Sequence, residues 1–313
     1  MLIVYPGDMP ELPEVETIAR GLDKRVAGDT VESVWIGSRQ QPLKSPAGVI
    51  ASTLEGKRIV RVHRAGKHIV FDLAGEPRTP KTATKTATKT ATKKGKRKSR
   101  VRGPTPLAAS LQQSAQWIVH LGMTGRLVVC EPATEIAKHT HLIAKLASGS
   151  ELRFIDPRMF GKLSVHLQPG GFDPGGVEPL EVSEERFVAL FRGRKTPIKS
   201  ALLNQKLLRG VGNIYADESL FRAGIRPRRR TAAITRQQLG KLHQAVRKVL
   251  QEAIGLGGSS ISDYVDAEGE EGFFQLQHRV YGREGEPCLV CETAIRRVVL
   301  AGRSSHYCAK CQK

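Results

Sequence analysis

Between Arg58 and Ile155 the chain reads as short apolar or alternating segments divided by turn residues. The segments are Arg58–Arg64, His68–Leu73, Gln116–Leu121, Arg126–Cys130, His141–Leu146 and Leu152–Ile155, with turns at Ala65-Gly66 and Ser148-Gly149. Runs of this length and punctuation predict strands, and six in succession predict a β-sandwich. Further along the period changes. Leu239, Leu242, Val246, Val249, Leu250, Ala253 and Ile254 form the apolar stripe of a helix, closed by Gly255 and the Gly257-Gly258 pair. Between the two regions, Pro169-Gly170-Gly171-Phe172-Asp173-Pro174-Gly175-Gly176 predicts a hinge. Near the start, Pro13 followed by Glu14-Val15-Glu16 suits the first turn of a helix. The expected class is α+β and multidomain, with units at 10–172, 173–282 and 283–313.

Charge narrows the partner. The 313 residues hold 50 Lys and Arg against 30 Asp and Glu, a net charge of +20. Residues 79–104 contain ten of those bases and no acid, and the rest of the chain still carries +10. A surplus spread beyond one segment points to a polyanion. The segment itself repeats Thr82-Ala83-Thr84-Lys85 three times and then runs Lys93-Lys94-Gly95-Lys96-Arg97-Lys98. Low complexity without aromatics cannot build a core, so it is expected to be a disordered basic insertion. It reads equally as a tether to phosphates and as a tolerated insertion at a hairpin tip. No apolar run approaches the roughly 20 residues of a membrane span. Met1 to Asp8 lacks the length and positive flank of a signal peptide. No membrane partner and a cytoplasmic location are expected.

Four of the five cysteines are spaced as a metal site. Cys288 and Cys291, then Cys308 and Cys311 after sixteen residues, give two C-x2-C pairs that can grip a tetrahedral ion from two sides. The spacing favours one structural zinc over two disulfides. Cys130 follows Leu127-Val128-Val129 and reads as a strand residue.

The sharpest chemistry lies at Met9-Pro10-Glu11-Leu12-Pro13-Glu14-Val15-Glu16-Thr17. If synthesis starts at Met9 and that residue is trimmed, Pro10 carries a free secondary amine. A terminal amine titrates near about 7.7–8.0, so much of it is nucleophilic at neutral pH, and the following helix dipole lowers the value further. Inside a peptide, Pro10 is a tertiary amide with no such nitrogen. Met9 is therefore the expected start.

The run from Pro10 to Leu22 resembles the N-terminus of the formamidopyrimidine-DNA glycosylase family. Leu12 and Val15-Glu16-Thr17 favour that branch over the related endonuclease VIII enzymes, which open PEGPE. Further segments match in order. Ala65-Gly66-Lys67-His68 supplies Lys67, the family's active-site lysine. His120-Leu121-Gly122-Met123-Thr124-Gly125 and Asp156-Pro157-Arg158-Met159-Phe160-Gly161 supply Met123, Arg158 and Phe160, which the resemblance implies fill the space left by an extruded nucleotide. His139 matches a DNA-contacting histidine, and Arg194 takes a phosphate-contact position where the family usually has lysine. Arg303, five residues before Cys308, matches the arginine that grips phosphate beside the lesion.

Gly210-Val211-Gly212-Asn213 resembles the family's helix-two-turn-helix, with Asn213 as its phosphate-binding asparagine. The Gly-x-Gly turn before a helix suits a phosphate, with glycine keeping the approach open. Residues 267–273 resemble the loop that covers the flipped base. The resemblance implies an N-terminal β-sandwich with flanking helices, a helical domain and a C-terminal β-hairpin zinc finger. It further implies a bacterial, nucleoid-associated monomer acting on double-stranded DNA with oxidised purines or abasic sites. Pro10 attacks C1′, Glu11 acts as general acid, Glu14 supports the same site, and Lys67 and Arg303 assist. Two alternatives stay open: the same chemistry on oxidised pyrimidines, and a silent DNA-binding protein if Pro10 remains blocked.

Overall fold

The computed structural model describes residues 9–75, 115–259 and 272–313. The basic insertion at 79–104 and most of the 267–273 loop lie outside the described residues. The chain opens with helix α1, Leu12–Val26. Glu11 is its N-cap, and its N–H is taken by the Glu14 carboxylate at 2.9 Å.

Two four-stranded sheets follow, with every pairing antiparallel. The first comprises β1 (Val31–Ile36), β6 (Thr140–Leu146), β7 (Glu151–Ile155) and β5 (Arg126–Cys130), in that spatial order. The second comprises β2 (Arg58–Ala65), β3 (His68–Ala74), β4 (Ala115–His120) and β8 (Lys162–His166). Their inner faces meet in a core that includes Phe71, Trp117, Leu142 and Phe154, closed on one side by α1. All six expected strands form, each end within one residue of its expected place. Strands β1 and β8 and the short helix α2 (Ala47–Leu54) were not expected. Both strands lie at sheet edges; β1 is half exposed and β8 fully buries only Leu163, so the apolar alternation is weak in each.

A second core belongs to α3 (Glu184–Phe191), α4 (Ile198–Leu202), α5 (Asn213–Arg222) and α6 (Arg236–Gly255). The apolar stripe of α6 is buried as its spacing predicts, and Thr235 with Gln238 forms a capping box at its start. Helix α1 belongs to both cores. Leu12 packs in the helical one, whereas Val15, Ile18, Leu22 and Val26 pack in the sandwich. An ion-pair bridge reinforces the junction: Arg64 on β2 meets Glu16 at 2.8 Å and Glu178 at 2.8 Å. Finally β9 (Ile295–Leu300) and β10 (Arg303–Cys308) make a hairpin over a small core of Phe221, Val280, Cys288, Ile295 and Cys308.

Candidate active site and zinc module

The N-terminus of α1 is driven into the start of α5. Leu12 N–H donates to the Gly210 carbonyl at 3.0 Å, and the buried Glu11 carboxylate accepts the Ile214 N–H at 3.0 Å. The positive end of α5 thus faces the protein's own carboxylate, a favourable arrangement for both. This corrects the sequence-based reason for the Gly-x-Gly turn. A Cβ on Gly212 would lie 2.2 Å from Glu11 Cδ, and one on Gly210, at φ +87°, would lie 2.9 Å from Leu12. These glycines admit α1. Gly212→Ala is therefore expected to displace the Glu11 carboxyl, and a reaction in which that carboxyl takes part should slow by at least about tenfold. Zinc content and single-turnover base release check it.

Glu14 lies directly beneath. It is fully buried, and accepts from the Tyr215 hydroxyl and from Ser259 N–H at 2.8 Å. Burial pushes its carboxyl above the usual range, against these hydrogen bonds, which act to lower it. Nothing local marks Tyr215 and Ser259 as partners of Glu14, because each is more than 200 positions away.

Beside Glu11 a pocket of about 200 Å³ opens, lined by Met9, Lys67, His68, His120, Arg209 and Arg303 among others. It brings together Lys67, from the tight turn between β2 and β3, and Arg303, from the start of β10. Pro10 follows Met9 at its edge, half-buried and joined to it by a peptide bond. Burial, with the charges of His68, Lys67 and Lys162, holds His120 down to about 4, and burial lowers His68 too. The other bases of the lining are Lys67, Arg303 and Arg209, the last paired with Asp173 at 3.1 Å and Glu178 at 3.2 Å. His278, buried beside Ser259, is also lowered to about 4, chiefly by burial.

These depressed histidines set a pH dependence. Between pH 6.5, their ordinary value, and about 4, the unfolded chain binds protons that the folded one refuses. Their contribution is complete above that window and is lost as pH falls through it, by on the order of 3 kcal/mol for each. Unfolding midpoints are expected to drop steadily from pH 6.5 to 4. A flat profile would contradict this reading.

The three wedge candidates sit on two touching loops outside the pocket lining. Asp156, fully buried, accepts from the Thr124 hydroxyl at 2.6 Å and the Gly161 N–H at 2.7 Å, fastening 121–125 to 156–161. The Arg158 guanidinium lies 5.0 Å from the centroid of the Phe160 ring, which is 51% exposed. Met123 is half-buried on the adjoining loop. An exposed aromatic on a braced loop fits insertion rather than core packing. Asp156 was missed as a brace, since nothing local marks a carboxylate that serves two loops.

The remaining candidates scatter. His139 is half-buried before β6, with its carbonyl accepting from Asp156 N–H. Its neighbour His141 is buried and donates to the Asp156 carbonyl at 2.9 Å, a satisfied core histidine. Arg194 is exposed just past α3, its Nε donating to the Leu190 carbonyl at 2.5 Å. Asn213, the first residue of α5, reaches the Tyr281 hydroxyl and Ser304 Oγ, each at 3.4 Å.

The four C-terminal sulfurs lie within 4.8 Å of one another. Three Sγ–Sγ separations are 3.4, 3.4 and 3.9 Å. A disulfide requires about 2.05 Å. A tetrahedron of zinc–sulfur bonds near 2.3 Å has edges of about 3.8 Å. The thiolates of Cys288, Cys291, Cys308 and Cys311 therefore fit one structural zinc and exclude two disulfides.

A buried carboxylate at a helix start, a pocket holding Lys67 and Arg303, a braced pair of loops and a four-cysteine hairpin thus lie in one chain. Comparison with known proteins gives the family. Residues 9–163 match the formamidopyrimidine-DNA glycosylase N-terminal domain, 176–265 its H2TH domain, and 285–313 the zinc finger found in FPG and IleRS. The formamidopyrimidine-DNA glycosylase of Solibacter usitatus is 42% identical over 310 residues, covering 97% of this chain and all of that one. That of Desulfitobacterium hafniense is 37% identical over 317 residues, with 97% and 100% covered. The Thermus thermophilus MutM (Fpg) structure superposes with a TM-score of 0.75 at 35% identity, covering 97% and 98%. Lactococcus lactis Fpg, solved on DNA containing Fapy-dG and on DNA containing an oxidised pyrimidine, gives 0.78 at 30% identity, covering 97% and 100%. The chain belongs to the formamidopyrimidine-DNA glycosylase family.

Proposed function

We propose that this base-excision repair glycosylase and abasic-site lyase removes oxidised purines from duplex DNA with Pro10 as its nucleophile. The observation that carries this reading is the fixing of Glu11 against α5, one residue after Pro10 and beside the pocket that holds Lys67 and Arg303. The match to the family's N-terminal domain begins at Met9, which supports processing there.

The target nucleotide leaves the stack, because its sugar is unreachable inside the duplex. Met123, Arg158 and Phe160 fill the gap. The Pro10 nitrogen attacks C1′ and the base departs with the glycosidic electron pair, taking up the proton that the amine loses; Glu11 then protonates the sugar ring oxygen as the C1′–O4′ bond breaks. A secondary amine gives a cationic iminium, which acidifies the C2′ proton. Loss of that proton expels the 3′ phosphate, and a second elimination expels the 5′ phosphate. Lys67 and Arg303 assist at the reacting site, His139 contacts the DNA, and Arg194, Asn213 and Arg303 hold phosphates. Zinc shapes the hairpin that carries Arg303.

The two large cores support units at 10–172 and 173–282, and the cysteine hairpin supports a third at 283–313. No described helix is long and apolar enough to cross a membrane. A monomer working in the cytoplasm at the nucleoid fits the basic charge. The oxidised-pyrimidine reading is favoured by one observation, the Lactococcus lactis relative bound to such DNA. Turnover of duplexes containing 8-oxoguanine, formamidopyrimidine or thymine glycol separates the two. Purine lesions are expected to be removed at least about tenfold faster, a difference of roughly 1.4 kcal/mol in transition-state binding. The reverse order would assign the chain to pyrimidine repair.

A further inference from the structure

Strand β10 has one free edge, because its hairpin has only two strands. On that edge a buried ion pair from the helical domain stands in for a third strand. Lys199 on α4 is 1% exposed, and its Nζ donates to the Ser304 carbonyl at 2.6 Å. The same ammonium lies 2.7 Å from Asp217 Oδ1 on α5, itself fully buried. Asp217 Oδ2 accepts the His306 N–H at 2.8 Å and lies 3.5 Å from the His306 ring Nδ1. One donor and one acceptor thus meet the carbonyl of residue 304 and the N–H of residue 306, as a neighbouring strand would.

The edge begins at Arg303, immediately before the clamped carbonyl. Arg303 is exposed and lines the pocket, whereas Lys199 is sealed from it and cannot reach a phosphate itself. A buried pair of this kind adds little net stability, since desolvation offsets attraction, but it fixes register and direction. We propose that Lys199, held by Asp217, is a positioning residue for Arg303: it clamps β10 so that the guanidinium enters the DNA cleft in one orientation. This rests on the reading of Arg303 as a phosphate contact.

The test is a double-mutant cycle on the full, Pro10-initiated protein, read as affinity for a duplex with a stable abasic-site analogue across a salt series. Lys199→Met alone leaves Asp217 as an unpaired buried charge, so the cycle uses Lys199→Met with Asp217→Asn. That neutral pair keeps an acceptor for His306 N–H while removing the ammonium that donates to Ser304 and its pairing with Asp217. Zinc content and the unfolding midpoint confirm that the fold is retained. The neutral pair and Arg303→Ala should each weaken binding about tenfold and lower the log–log salt slope by about 0.9, one phosphate's worth. Added to Arg303→Ala, the neutral pair should cost nothing further in either quantity. Additive losses, or an unchanged salt slope for the neutral pair, would overturn the positioning role while leaving Arg303 as a phosphate contact. Wild-type affinity in Arg303→Ala would overturn that underlying reading and the proposal with it. A neutral pair that fails to fold would also overturn it, since the clamp would then be a stability element.

Discussion

Cys291→Ser protein is expected to lose its zinc and, with it, most of its affinity for DNA. The buried core under the module that carries Arg303 has five residues, of which Cys288 and Cys308 are ligands themselves and Phe221 and Val280 come from the helical domain. So small a core cannot order a hairpin without a staple. Structural zinc supplies on the order of 10–16 kcal/mol in small modules, so removing one ligand unravels the hairpin rather than loosening it. Arg303 then leaves the pocket, and the Lys199 and Asp217 partners on β10 are lost together. Binding should fall by about a hundredfold, the equivalent of one or two charge-assisted contacts. The sandwich and helical cores do not depend on the ion and should still unfold cooperatively. Metal content measured beside binding to abasic-analogue duplex checks this. A zinc-free protein that binds normally would remove the module from the DNA interface.

What the sequence reveals and what it hides follow from how far each interaction reaches along the chain. Strands β3, β4, β6 and β7 were legible because burial on both faces demands apolar runs, edge strands β2 and β5 because apolar residues still cluster in them, and α6 because one buried stripe demands its period. The zinc ligands were legible because metal geometry dictates local spacing. The first turn of α1 showed itself through Pro13 and Glu14. The Gly-x-Gly turn was found, but its cause was misread. The contact that requires Gly212 is Glu11, some 200 positions earlier in the chain, and no local pattern records it. The same holds for Tyr215 and Ser259 around Glu14, and for Lys199 and Asp217 on β10. Strands β1 and β8 escaped notice because polar residues interrupt them, Glu32 and Ser33 in β1 and Ser164 in β8. The locations of Lys67 and Arg303 came from resemblance, and the structure adds that they line one pocket.

The largest effect is expected at the N-terminus. Protein that begins at Pro10 has a secondary amine beside Glu11, and protein that retains Met9 has an amide there with no lone pair to donate. Retention or acetylation should abolish both base release and strand cleavage, a loss of at least about 10⁴-fold, since covalent catalysis disappears altogether. DNA binding should change far less, because the pocket cations and the wedge loops remain in place.

The covalent intermediate gives the direct measurement. An iminium between protein and deoxyribose is reduced by borohydride to a stable amine. Pro10-initiated protein is therefore incubated with duplex containing 8-oxoguanine, reduced and digested, and the linked peptide is sequenced by mass spectrometry. The deoxyribose adduct is expected on the Pro10 nitrogen, with no trapping by the Met9-retaining form. An adduct on Lys67 or another lysine, or equal trapping by the blocked form, would contradict Pro10 as the nucleophile.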